Sequence, residues 1–182
     1  MERKAIWALP VVLGMLLLAG TSFAADKTRP VPGSKEYIIR EVRHELIMLP
    51  FYTVFDNLDY RVDGGVVTLM GPVTRPTLKS DVENVVKTIE GVTKVINDIK
   101  ALPPSPMDDR IRIAVFRAIY GYNSPLFRYR FGAIPQIHII VDTGNVTLVG
   151  IVDSAFDKQI ADVRVNEIPG VFSVKNDLVV QK

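Results

Sequence analysis

The sequence predicts an α+β protein made of two tandem α-β-β-α-β domains, each with two helices packed on a small three-stranded mixed sheet. Three observations predict it. Shifting the chain by 79 residues aligns Val62–Leu102 with Val141–Gln181 without a gap, and 16 of those 41 pairs are identical. Within each copy the apolar spacing switches between the three-and-four rhythm of a helix and the alternation of a strand. The composition, 48% hydrophobic and 23% charged in 182 residues, is that of a chain able to bury a core. Two copies are too few for a solenoid, which needs about three. Two small domains in sequence is the simpler reading.

The expected organisation is a signal peptide over residues 1–24, an N-terminal segment over 25–33, a first domain over 34–102, a Pro-rich linker over 103–107 and a second domain over 108–182. Arg3 and Lys4 precede an apolar run from Ala5 to Gly20, with small residues at Ser22 and Ala24. That pattern predicts export and cleavage after Ala24, giving a periplasmic protein. The run contains Pro10 and is short for a bilayer span of about 20 residues. Thr21 stands where a lipidated cysteine would have to be, and the chain has no cysteine at all, so it is not read as a lipoprotein. The same absence removes thiolate nucleophiles, cysteine-based zinc sites and iron–sulfur ligation.

In the first copy Ser34 caps a helix with apolar positions Ile38, Val42, Leu46 and Leu49. In the second, Asp108 is the expected cap, and Ile111, Val115, Ala118, Ile119 and Tyr122 the core stripe. Each helix is followed by an aromatic-rich connector and then a hairpin. In the first copy Leu58, Tyr60 and Val62 alternate with polar residues, Asp63-Gly64-Gly65 turns, and Val67 and Leu69 return. Pro76 suits the first turn of the next helix, whose inward residues are Val82, Val85, Val86 and Ile89. Gly91 ends that segment, and Val92–Ile99 supplies the last strand.

The Gly65–Gly71 stretch with Gly91-Val92-Thr93-Lys94-Val95-Ile96-Asn97, repeated as Gly144–Gly150 with Gly170–Asn176, resembles the BON domain (bacterial osmotically inducible and nodulation). The resemblance covers nearly all of residues 34–181, twice. It implies an export-targeted tandem-domain envelope protein of the soluble periplasmic, osmotically inducible type. The family's proposed roles are phospholipid or membrane association, envelope integrity and stress chaperoning. In its dual-domain lipoproteins the first helix of the second domain contacts anionic lipid. The shared motif residues are turn glycines and core valines, which carry fold rather than chemistry.

Catalysis finds no support in the residues. The two histidines, His44 and His138, occupy non-equivalent places, and no nucleophile elbow, metal motif or phosphate-cradling loop occurs. No cofactor and no metal are implied. Residues 25–182 hold 20 basic against 19 acidic side chains, which excludes the basic excess of a nucleic-acid binder.

Function is therefore sought where the copies differ. The outer side of the second copy's first helix carries Ile113, Phe116 and Tyr120, bordered by Arg110, Arg112 and Arg117, where the first copy has Arg40, Arg43 and Ile47. The second copy's later helix adds Phe156, Ile160 and Val163 beside its core stripe Ala161, Val165 and Ile168. Its connector interleaves aromatics with arginines, including Arg128, Tyr129 and Arg130; as a loop-strand it would lay Phe127, Tyr129 and Phe131 on the sheet. Residues 103–140 hold five Arg against two Asp. An apolar stripe edged by arginines suits an anionic phospholipid membrane surface or an envelope protein partner. The alternatives are a soluble holdase that shields unfolded clients, and a structural module whose stripes are sealed between the copies. Exposure of Phe116, Tyr120, Phe156 and Ile160 separates the last from the others.

Overall fold

A computed structural model describes residues 30–181, so the expected signal peptide lies outside the described residues. The first unit runs α1 (Lys35–Met48), β1 (Asp59–Asp63), β2 (Val66–Val73), α2 (Pro76–Lys87) and β3 (Lys94–Ala101); the second runs α3 (Pro106–Tyr120), β4 (Ile137–Asp142), β5 (Asn145–Val152), α4 (Ala155–Asn166) and β6 (Ser173–Val180). Both sheets have the order first, second, third, with an antiparallel hairpin and a parallel third strand. The parallel pairing is why a helix must intervene between the second and third strands. Both expected α-β-β-α-β units are present. No helix among the described residues is long and apolar enough to cross a membrane.

Each unit buries its own core between its helices and one sheet face. In the first, Ile38, Val42 and Leu46 from α1 meet Leu78, Val82 and Val86 from α2 over Val67, Leu69 and Val73. In the second, Ile111, Val115 and Ile119 meet Ala161 and Val165 over Ile139, Val146 and Leu148. The repeated asparagines are structural. Asn97 donates to the Lys79 carbonyl and Lys79 donates to that of Ile99, at 2.8 and 2.9 Å, and Asn176, Lys158 and Leu178 repeat the arrangement. These bonds fasten the edge strand to the second helix of each unit.

The starts of the first helices differ from expectation in one respect. Ser34 Oγ accepts from Tyr37 N at 3.2 Å, as expected. In the second unit the cap is Ser105, whose Oγ accepts from Asp108 N at 3.2 Å, with Pro106 as the first helical residue. Asp108 is not the cap. Its carboxylate is buried and accepts from Thr143 N at 3.0 Å and Gly144 N at 2.8 Å, tying the helix start to the β4–β5 turn.

The units are joined through the first unit's connector rather than by helix packing. Val54 belongs to the second unit's core, and its carbonyl accepts from Ile139 N at 2.8 Å on the outer edge of β4. His138 Nδ1 bonds the Asp56 carbonyl at 2.5 Å, and its ring stacks on Tyr52 at 5.9 Å. Phe55 meets the edge of Phe116 at 6.1 Å. The loop is held in this shape by the fully buried Asp56 carboxylate, which accepts from the backbone and hydroxyl of both Thr53 and Thr74. The exposed Lys100–Asp142 contact at 3.4 Å adds little beside these.

His138 makes this joint acid-sensitive. Burial holds its pKa below the ordinary imidazole value, against the pull of Asp56. A base with a depressed folded pKa gives stability that is whole above the free value of about 6.5 and drains as pH falls toward the folded value. Thermal melts at pH 7.5 and pH 5 are expected to show this loss in the wild type. His138→Gln, which cannot titrate, should flatten that part of the profile; an unchanged profile overturns the assignment.

Candidate interaction surface

The outer side of α3 is only partly as the spacing predicted. Ile113 is 47% exposed, and Arg110 and Arg117 are exposed with no ion pair among the described residues. Phe116 is half-buried: its ring lies 5.1 Å from Tyr120 and is flanked by Phe55 of the first unit. Arg112 points inward. It is 5% exposed, with Nη1 on Asp109 at 2.6 Å and Nη2 on the Val141 carbonyl at 2.7 Å. Position 112 follows Asp108 by one helical turn, so it shares the face that meets the β4–β5 hairpin.

Tyr120 is likewise interior rather than on the outer stripe. Its hydroxyl donates to the Ile137 carbonyl at 2.7 Å and accepts from Ile137 N at 2.8 Å. This pairing satisfies the phenol at the edge of β4 and permits its burial, which raises its pKa. Tyr122, expected in the core stripe, is 86% exposed, and Ala118 is only half-buried. The helix ends at Tyr120, so the periodicity does not carry to position 122.

The second connector is not a loop-strand. Ser124 accepts from Leu126 N, and Pro125–Arg130 forms a 3₁₀ turn that drives Leu126 and Tyr129 inward. The Tyr129 hydroxyl accepts from Asp153 N at 2.7 Å and donates to Asp157 Oδ2 at 2.9 Å. Arg128 Nη2 reaches the same carboxylate oxygen at 2.6 Å, and its Nε reaches Asp153 at 3.2 Å. Arg128 is thus engaged within the protein, and Tyr129 is buried. Arg130 is different. It forms no ion pair among the described residues, and its guanidinium lies 5.7 Å from the Phe116 ring and 6.0 Å from that of Phe127.

These contacts create a continuous surface ladder. It runs from Phe55 through Phe116 and Arg130 to Phe127, which meets Phe131 at 5.4 Å and Tyr122 at 5.8 Å, both edge-on. Phe131 is 66% exposed. Phe127, Phe131 and Tyr122 were not among the expected site residues. The signal that could have found them is Ser124-Pro125, which starts a helical turn and so sets which of the following aromatics point outward. Across α4, Phe156 and Val163 are well exposed and Ile160 half-buried, and with Pro125 they line a shallow groove of about 510 Å³ ending at Arg164 and Glu167. The four diagnostic residues therefore split. Tyr120 is internal, Phe116 is shared with the first unit, Ile160 is partly packed, and Phe156 is open to solvent.

The family profile of the BON domain matches residues 37–103 and 130–182, together well over half of the chain. No curated protein matches. Among solved structures, the chain is similar to CdsD, a structural protein of the type III secretion system of Chlamydia trachomatis, at 14% identity over 79% of this chain and 92% of that one, with a TM-score of 0.31. It is similar to the C-terminal domain of the same protein at 12% identity over 82% and 100%, with a TM-score of 0.29. Likenesses this loose carry no argument about the chain. With its paired α-β-β-α-β units and the profile match falling on each, the chain belongs to the BON-domain family, with the domain present in tandem.

Proposed function

We propose that this is an exported envelope protein whose second unit lies against anionic phospholipid at a membrane surface. BON domains in general are binding domains rather than enzymes, and are associated with phospholipid and membranes. The observation that carries the finer reading is the exposed aromatic–arginine ladder of the second unit. Arg110, Arg117 and Arg130 have no acidic partner among the described residues and border Ile113, Phe116, Phe127 and Phe131. The apolar side chains enter the acyl boundary while the guanidiniums meet phosphate. Arg112, Tyr120, Arg128 and Tyr129 serve this surface from beneath, by fixing α3 and the 3₁₀ turn. In the first unit Arg40 is paired with Glu41 at 2.8 Å and Arg75 lies 4.6 Å over the exposed Phe51 ring, but among the described residues this is a single cation–ring pair and not a run of linked aromatic rings. Arg3, Lys4, the Ala5–Gly20 run and Ala24 support export with cleavage after Ala24. The mass of the protein recovered from a periplasmic fraction tests that step.

Co-sedimentation with vesicles tests the surface. Binding to phosphatidylglycerol-containing vesicles should exceed binding to phosphatidylcholine vesicles and should weaken with salt. Each basic side chain near an anionic surface contributes about 1 kcal/mol. Arg117→Glu should therefore weaken binding about tenfold or more, and Phe131→Asp comparably, with little change in melting temperature. Equal binding to both vesicle types, indifferent to salt, would sink the lipid reading in favour of client shielding. No binding to either would favour a structural module.

A further inference from the structure

The two units share a groove between the C-terminal half of their first helix and the outer edge of their first strand, and one of the two grooves is already filled. In the second unit Ile119, Tyr120, Ile137 and Ile139 form its floor and Phe116 its rim. Val54 and Phe55 of the first unit occupy it. Val54 is buried there with its carbonyl on Ile139 N at 2.8 Å, and Phe55 meets Phe116.

The buried stripes Ile38, Val42, Leu46 and Ile111, Val115, Ile119 superpose α1 on α3, and the strand pairings Tyr60 with Leu69 and Ile139 with Leu148 superpose β1 on β4. The first unit's counterparts of the slot are then Arg43, Leu46, Ile47, Leu58 and Tyr60. These same residues, with Tyr52, line an open groove of about 350 Å³. The local wiring matches as well. The Tyr52 hydroxyl accepts from Leu58 N at 3.4 Å, as the Tyr120 hydroxyl accepts from Ile137 N. The edge amide that corresponds to Ile139 N is Tyr60 N, which among the described residues donates to the side chain of the neighbouring Asp59, at 2.7 Å, and to no backbone carbonyl of another segment. Ile47 is 41% exposed, and Arg43 is exposed with no ion pair among the described residues.

We infer that this groove of the first unit is a docking slot for an extended segment of another polypeptide, carrying an aliphatic and an aromatic side chain in succession followed by an acidic one. The filled slot supplies the pattern for its occupant. A backbone carbonyl accepts from the edge amide once the Asp59 carboxylate turns aside, the aliphatic side chain enters between helix and strand, and the aromatic one lies over the helix. Where the second unit has Phe116 the first has Arg43, so a carboxylate beside the aromatic completes the fit. This inference stands apart from the lipid reading, since the slot it assigns lies wholly in the first unit.

The probe is a synthetic, end-blocked peptide of residues 50–58, which carries the Val54-Phe55-Asp56 pattern, titrated into the full chain and followed by NMR shifts and calorimetry. The connector of each chain stays in its own slot because its effective concentration there is high. Saturable one-to-one binding is expected, with shifts around Ile47 and Tyr60. Ile47→Asp should lower affinity about tenfold or more, the equivalent of losing one apolar contact. Arg43→Glu should weaken binding and reverse its salt dependence, since added salt then screens repulsion instead of attraction. Both residues are surface-exposed, so melting temperatures should hold. Absence of peptide binding overturns the inference. So does binding that survives Ile47→Asp and Arg43→Glu but is lost in Phe116→Asp, because the peptide would then be using the second unit's slot.

Discussion

Gly150→Ala is expected to destabilise the second unit by about 3 kcal/mol or more. Gly150 has φ +148°, and a Cβ there would stand 2.0 Å from the Gln136 carbonyl oxygen. That oxygen belongs to the end of the connector, which passes over β5 before entering β4, and neither backbone can retreat without breaking the hairpin. Steric strain and overpacking therefore add. In a unit of this size the melting temperature should fall on the order of 15 °C by calorimetry or circular dichroism. Gly71→Ala should behave alike in the first unit, where φ is +108° and the Asn57 carbonyl oxygen is 1.9 Å from the added carbon. Gly64→Ala is the control: φ is +57° but nothing lies within 4 Å, so only the left-handed conformation is charged, about 1 kcal/mol. Equal effects at positions 64 and 150 would refute the close-approach argument.

Asp157→Ala is expected to cost about 2–4 kcal/mol. The residue is 3% exposed, and Oδ2 is shared by Ser154 Oγ at 2.7 Å, Tyr129 Oη at 2.9 Å and Arg128 Nη2 at 2.6 Å. Its removal leaves the buried Tyr129 hydroxyl without an acceptor and frees Arg128, so the 3₁₀ turn loses its attachment to α4. The effect stays below that of a fully buried pair because Arg128 is half-exposed. Burial alone would raise the Asp157 pKa, but hydrogen bonds from Ser154 and Tyr129 and the Arg128 charge more than offset it, leaving a net lowering. For an acid lowered on folding, the stabilisation is complete above the free value of about 3.9 and is lost as pH falls through the folded one. Wild type should therefore lose stability below about pH 4 in a way that Asp157→Asn does not. Lipid binding offers a second readout, since loosening the turn disturbs Arg130 and Phe131.

Most of the fold was legible because its determinants are local or periodic. The duplicated glycines, the buried stripes of α1 and α2, and the hairpin turn at Gly64-Gly65 all appear in the sequence where the structure uses them. The candidate surface was less legible. Helical spacing puts Tyr120 on the outer stripe and Arg112 at its border, but spacing does not say how far the sheet extends around the helix. Both long side chains found polar partners on β4 and were drawn in. Tyr122 failed for a simpler reason, since the helix stops two residues before it. The 3₁₀ turn separates Tyr129, which is buried, from Phe131, which faces solvent, because three residues per turn replaced the alternation of two that would have laid both on the sheet.

By itself the sequence determined the two-unit architecture, the strand order that a helical crossover imposes, and the asymmetry that gives the second unit more apolar and arginine-bordered side chains. Those features follow from local apolar spacing and from its recurrence 79 residues further on, where backbone geometry leaves few choices. Only the tertiary structure decided which of those side chains face water and how the units meet. Val54 entered the core of the other unit because the edge of β4 offered an unpaired amide next to an apolar groove. That amide and that groove come from segments far apart in the chain, and no periodicity in either one encodes their meeting.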